Sequence, residues 1–261
     1  MKIDKCQEYE EIPAAMDRRF LPEGQVPNFR RGIYAAVYEG EQMDDAQAVI
    51  FDRDGVLTQF NPASALQHIN RVLPVSLDAL LQHWQAYGSR VGFPATAAEE
   101  TSFFRGLWHA LAQEYGLADD ARAWLLKFDY TQHMALYPDV IPLLTALKAR
   151  DIKTGVLSNF TLATLDRSLE VLGIAQWIDT ACAATVIGAA KPDAAAYLTV
   201  AAALDVPPER CLFFDDEPAC VRGAQQTGMR AWLVDRTGHN TDTTLPSVRG
   251  LDEVLGLCGV R

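Results

Sequence analysis

The chain has 261 residues, 49% of them hydrophobic, enough for one sizeable core with a smaller module beside it. Its formal net charge of −11 excludes a basic stripe of the kind that binds nucleic acid. No apolar run approaches the ~18 residues of a membrane span. Cys6, Cys182, Cys211, Cys220 and Cys258 show no CxxC spacing, so neither a zinc site nor a disulfide framework is expected, and a reducing cytoplasm fits best.

Residues 1–45 form an N-terminal extension of mixed character. "CQEYEEIPAAMDRRF" suits a short helix broken at Pro13, "LPEGQVPNFRRG" a loop and "IYAAVY" a short strand. The opening "MKIDKCQEYEEIP" has no apolar signal-peptide core. An arm packed on the main domain or on a partner subunit is expected here.

From Ala48 the pattern sharpens. "AVIF" is a short apolar run that ends in Asp52, Arg53, Asp54 and Gly55, as a fully buried strand does. Positions 62–136 then turn helical. Helices are expected at Ala63–Leu73 and Leu77–Tyr87, with Ser76 capping the second. Thr96 and Glu99 form a capping-box pattern before the next, and Asp119 or Asp120 starts a further one through Phe128.

Beyond Pro138 helices alternate with strands. "DVIPLLTALKAR", "LATLDRSLEVLG", "DAAAYLTVAAALDV" and "ACVRGAQQTG" read as helices. "IKTGVLSN", "DTACAATVI", "RCLFFDD" and "MRAWLVD" read as strands, and "RTGHNTDTTLPSVRG" as a loop before a last helix. This alternation implies an α/β fold with a Rossmann-like, doubly wound parallel sheet. Residues 46–61 and 137–261 would form that core, and 62–136 an inserted α-helical cap over the crevice at the carboxyl ends of the strands.

Three strands end in polar residues at that crevice: Asp52 and Asp54, Ser158 and Asn159, Asp215 and Asp216. Alternation in an extended segment lets Asp52 and Asp54 share a face while Arg53 points away. A cation makes such an acid pair tolerable, and hard oxygen ligands suit Mg²⁺. A carboxylate can attack phosphorus and form an acyl-phosphate. Asp52 is therefore the candidate nucleophile, Asp54 the acid that protonates the leaving oxygen, and Asp216 a further metal ligand. Ser158, the Asn159 amide and Lys191 would hold the phosphoryl oxygens.

In combination these stretches resemble the haloacid dehalogenase-like superfamily of hydrolases. "FDRDGVL" matches its first motif, "VLSN" its second, "VIGAAKPDAAAY" its third and "LFFDDEPACVRGA" its fourth. The resemblance spans roughly positions 48–235 and is closest to the phosphatase-rich branch with a helical cap between the first two motifs. It implies that Asp216 binds Mg²⁺ together with the Asp52 side chain and the Asp54 backbone carbonyl, and that Asp215 steadies the ligands from behind. Cys220 stands where the family usually carries Asp or Asn, Gln59 and Phe60 replace an Asp-Ser pair, and Arg53 replaces an apolar residue.

The leading expectation is a Mg²⁺-dependent phosphatase of a small phosphorylated metabolite, with Arg90, Arg105, His109 and Lys127 on the cap as candidate substrate-selecting residues. A phosphomutase, a 2-haloacid dehalogenase and a non-catalytic binding or regulatory protein are the alternatives. An acid at position 54 weighs against the dehalogenase. The metabolite and the oligomeric state stay open.

Overall fold

The expected buried run becomes the middle of a seven-stranded sheet. The computed structural model describes residues 4–5, 46–159, 165–240 and 242–258. The helix, loop and strand expected within residues 6–45 lie outside the described residues. The strands are β1 (Asp4–Lys5), β2 (Ala48–Phe51), β5 (Lys153–Ser158), β6 (Thr180–Ala183), β7 (Cys211–Asp215), β8 (Arg230–Val234) and β9 (Ser247–Val248). Their order is β1-β6-β5-β2-β7-β8-β9, and every pairing is parallel. From central β2 the sheet grows one way through β5 and the other through β7, so the loops after these three strands meet at one crevice.

Strand alternation divides the core between the two faces of the sheet. Val49 and Phe51 face one apolar cluster with Leu143, Leu144 and Leu169. Ala48 and Ile50 face the other with Tyr197, Val200 and Val221. The covering helices include α5 (Val140–Lys148) and α6 (Leu165–Val171 as described) on the first face. On the second face are α8 (Ala194–Leu204) and α9 (Pro218–Gln226).

The segment between β2 and β5 leaves and returns through a stem the sequence did not suggest. β3 (Thr58–Phe60) pairs antiparallel with β4 (Met134–Leu136), Thr58 opposite Leu136 and Phe60 opposite Met134. Between them lie α1 (Pro62–Ile69), α2 (Leu77–Val91), α3 (Ala97–Glu114) and α4 (Asp119–Leu125). These helices pack their own apolar centre, including Ile69, Phe103, Leu107, Leu111 and Leu125. Ser76 caps α2 by accepting from Ala79 N at 3.2 Å. Thr96 caps α3 in the same way from Glu99 N, while Glu99 reaches back to Ala95 N rather than to Thr96.

Several expected elements are shorter or different. Helix α1 stops at Ile69, where Asn70 turns its side chain onto Val75 N, and α4 stops at Leu125 rather than Phe128. "DTACAATVI" is a strand only to Ala183, then a short helix α7 (Ala184–Ile187) that ends at left-handed Gly188. Ser247 and Val248, read as loop, extend the sheet as β9. Cys211, Cys220 and Cys258 are free and buried. Among the described residues no helix is long and apolar enough to cross a membrane.

One polar knot ties the crevice loop to the C-terminal part of the chain. Arg236 donates to Val56 O at 2.6 Å and forks onto both oxygens of Asp139 at 3.0 and 3.1 Å. Asp139 also accepts from Leu251 N at 2.8 Å. Burial raises the Asp139 carboxyl, but Arg236 and the Leu251 amide outweigh it and hold it below the ordinary carboxylate range. A lowered folded-state pKa stabilises above the unfolded value of ~3.9 and loses that contribution as pH falls through the depressed value. Asp139→Asn is therefore expected to lower the melting temperature at neutral pH, with the gap to wild type closing below about pH 4. A pH series of thermal melts checks this; a gap constant across the series would contradict it.

Candidate active site

The site begins where β2 stops. Asp52 N still donates to Phe214 O at 2.8 Å, so Asp52 is held in strand register beside β7. The chain then turns sharply: Leu57 N and Thr58 N both donate to Arg53 O at 2.9 Å, and Gly55 N donates to Thr58 O at 2.8 Å. Gly55 adopts φ +81°, and a Cβ there would collide with the Asp216 carboxylate. Only glycine meets both demands.

Lys191 is the charge at the centre. Its Nζ donates to Asp52 Oδ1 at 2.5 Å and to Asp215 Oδ2 at 2.7 Å, with all three side chains buried. Asn159 clasps the Lys191 backbone in both directions: Lys191 N donates to Asn159 Oδ1 at 2.7 Å, and Asn159 Nδ2 donates to Lys191 O at 2.8 Å. The Asn159 side chain is thus a positioning group for Lys191, a role that reading the residue as an amide donor missed. The Lys191–Pro192 peptide bond is cis.

Asp52, Asp54, Gly55, Phe60, Ser158, Asn159, Lys191, Asp215, Asp216 and Glu217 line one cavity of about 380 Å³. The residues singled out at three separate strand ends, and Lys191, therefore share a single space. Carboxylate oxygens of Asp52, Asp215 and Asp216 lie within 4.8 Å of one another. Asp215 belongs to this cluster with Asp216, although its Oδ2 is engaged by Lys191 and its Oδ1 by Glu217 N at 2.8 Å.

The electrostatics of the cluster are unbalanced. Three carboxylates face one ammonium, leaving two formal negative charges unmatched. Burial pushes the Asp52 carboxyl up to about 7 against the pull of Lys191, and Asp215 adds to the rise. Asp216, at the open rim, is raised to about 6 by burial and by Asp215. Burial pulls the Lys191 ammonium down, but Asp52 and Asp215 more than offset it and keep Lys191 charged. An all-oxygen donor set with a surplus of negative charge fits a hard divalent cation.

Arg53 does not point away. It is buried, donates to Asp54 Oδ2 at 2.6 Å through Nη2 and to Ser168 Oγ at 3.0 Å, and lies over the Tyr130 ring at 5.8 Å. Thr58 Oγ1 donates to Asp54 Oδ1 at 3.2 Å. Asp54 is thereby fixed at the junction of the acid cavity and a second cavity under the helices, both of which it lines. Cys220 lies in the core behind the cluster, its Sγ 3.4 Å from Glu217 Oε2, and burial raises its thiol. Its neighbour Glu217, not Cys220, lines the cavity.

The four helical-segment candidates line neither of these two cavities. Arg90 stacks over Tyr87, His109 is exposed, and Arg105 and Lys127 line a larger cleft with Asp166 and Arg167 that adjoins the second cavity, sharing Phe104, Trp108, Phe128 and Tyr130 with it.

Comparison with known proteins gives the family and the fold. The family model described as haloacid dehalogenase-like hydrolase matches residues 46–228. The chain belongs to this family. Among haloacid dehalogenase-like hydrolases, it is 37% identical over 213 residues to a Mycobacterium tuberculosis (strain CDC 1551 / Oshkosh) protein named Phosphatase MT3486, covering 81% of this chain and 98% of that one. Its fold is similar to that of a HAD phosphatase from Thermococcus onnurineus, with TM-score 0.59 and 21% identity over 82% of this chain and 99% of the other. It is equally similar to that of a 2-haloacid dehalogenase from Pseudomonas syringae pv. Tomato DC3000, with TM-score 0.60 and 23% identity over 81% and 97%.

Proposed function

We propose that this hydrolase is a Mg²⁺-dependent phosphatase that cleaves a small phosphate monoester through an aspartyl-phosphate at Asp52. The observation that carries the reading is the buried Lys191 ammonium bridging Asp52 and Asp215 beside Asp216 in one cavity. The relative named a phosphatase, matched over 98% of its length, supports the same reading.

The Asp52 carboxylate attacks phosphorus, forming an Asp52 O–P bond as the bond from phosphorus to the ester oxygen breaks. Asp54, entering the cycle as the carboxylic acid, gives the departing oxygen its proton and becomes the carboxylate. Water then attacks the same phosphorus, Asp54 takes its proton, and the Asp52 O–P bond breaks to release inorganic phosphate. Lys191 and Ser158 hold the phosphoryl oxygens while charge shifts across them. Arg53 keeps the Asp54 carboxylate aimed between the two cavities. The carboxylates of Asp52 and Asp216 with the Asp54 carbonyl would hold Mg²⁺, and Asp215 would steady Lys191 and the turn at Glu217. When bound, the ion supplies positive charge that lets one anion approach another. Helices α1–α4, within residues 62–136, serve as the cap that excludes water during transfer.

Phosphate release from a panel of monoesters, with Mg²⁺ and with a chelator, tests this. Turnover with Mg²⁺ that falls to background in the chelator is expected. Full activity in the chelator would remove the metal from the account, and no hydrolysis of any ester would overturn the phosphatase reading.

A further inference from the structure

The second cavity, under the helices, has walls of a very different kind. It holds about 300 Å³ and is lined by Leu81, Trp84, Phe104, Trp108, Phe128 and Tyr130, among others. Phe104 stacks on Trp108 with ring centroids 6.5 Å apart, and Trp108 meets Phe128 edge-on at 5.9 Å. The charged residues at its floor are Arg53 and Asp54, and they are bonded to each other. Asp54 and Phe60 line both this cavity and the acid cavity, so the two spaces adjoin at the residue assigned to the leaving oxygen.

A phosphoryl group seated on Lys191 would therefore send its ester oxygen past Asp54 toward aromatic walls. Aromatic faces reward another ring through burial and through stacked or edge-on contact. A sugar's C–H face can also stack on them, but its hydroxyls would find few partners on this lining, where Arg53 and Asp54 are bonded to each other, and buried hydroxyls left without partners are costly. The volume gives room for a ring: a cavity of ~150 Å³ holds one benzene, so about 300 Å³ takes one ring and a linker, and the space opens further along Phe104, Trp108, Phe128 and Tyr130.

We infer that the substrate is a phosphate monoester of an aromatic alcohol, its ring seated among Leu81, Trp84, Phe104 and Trp108, rather than a sugar, polyol or short carboxylic-acid phosphate. The inference rests on the phosphatase reading above and adds the class of the leaving group to it. Cleavage is the same balanced transfer: the Asp52 O–P bond replaces the bond from phosphorus to the arylalkyl oxygen, and the alcohol leaves with the proton from Asp54.

The test compares kcat/KM for benzyl phosphate and glycerol 3-phosphate, both esters of primary alcohols, on the full chain with Mg²⁺. Burying a phenylalanine-sized ring corresponds to roughly 10- to 100-fold, so benzyl phosphate is expected to lead by about that factor. Leu81 is 51% exposed, so Leu81→Asp places a charge at the cavity mouth without forcing one into a packed core. That variant is expected to shrink the benzyl-to-glycerol ratio by about 10-fold, since the ring must then pack against a hydrated carboxylate. Equal rates on the two esters, or a lead for glycerol 3-phosphate, would overturn the inference and leave the phosphatase reading standing. An unchanged ratio in the variant would overturn the placement of the ring. Should the variant fail to fold, the wild-type ratio still decides. Hydrolysis of neither ester, nor of any other monoester, would overturn the phosphatase reading itself and this inference with it.

Discussion

Asp52→Asn is expected to lower kcat by at least about 10⁴-fold, the scale seen when a covalent nucleophile is removed, while leaving the protein folded. The amide keeps the shape of the side chain but is a far weaker nucleophile than the carboxylate. The structural consequence is small because Lys191 retains Asp215 as a partner at 2.7 Å. It also removes one of three crowded carboxylates, so the melting temperature in the absence of divalent cation is expected to be unchanged or higher. That pattern, activity lost and stability kept or gained, is the mark of a charge placed for chemistry rather than for the fold. Steady-state phosphate release and thermal melts measure the two halves. An active Asp52→Asn enzyme would rule out the covalent route.

Lys191→Met should fail in both respects. Asp52 and Asp215, at 10% and 1% side-chain exposure, would face each other without the cation that matches them. Breaking a buried ion pair by removing one partner costs about 3–5 kcal/mol, and urea unfolding without divalent metal is expected to show a loss of that order. Turnover should fall by about 10²- to 10³-fold, as for loss of a preorganised donor to a developing anion. The double variant Lys191→Met/Asp215→Asn separates the effects: stability returns toward wild type as the unmatched charge goes, and activity does not. If the single variant were as stable as wild type, the triad of Asp52, Lys191 and Asp215 would not be the electrostatic centre described here.

The sheet was legible because its strands are short apolar runs that stop at acids, Ser-Asn or Gly, and the stops are where the crevice lies. Period and punctuation are local signals, and Ser76 and Thr96 cap their helices where the spacing placed them. The β3–β4 stem was not legible, because strands as short as Thr58–Phe60 and Met134–Leu136 have no period of their own and pair across the whole helical segment. The orientation of Arg53 was misread for a related reason. Alternation holds only while the chain stays extended, and the turn already begins at Arg53, whose carbonyl accepts from Leu57 N and Thr58 N, with the guanidinium on Asp54. Of the charged residues chosen on the helices, Arg105 and Lys127 line the cleft that adjoins the second cavity, and Arg90 and His109 line neither. The face turned toward Asp54 is the one that carries Leu81, Trp84, Phe104 and Trp108. Cys220 posed a question that burial answers: its side chain belongs to the core behind the acids, and Glu217 lines the cavity.

The central claim is that phosphate is carried on the side chain of residue 52. Acid-quenching the enzyme during turnover of a monoester and reducing it with borohydride would convert an acyl-phosphate to the corresponding alcohol at the labelled residue. Peptide mass analysis should then find homoserine at position 52, in proportion to trapped enzyme and absent from Asp52→Asn. Sustained turnover with an unmodified residue 52, or with the label on any other residue, would contradict the account.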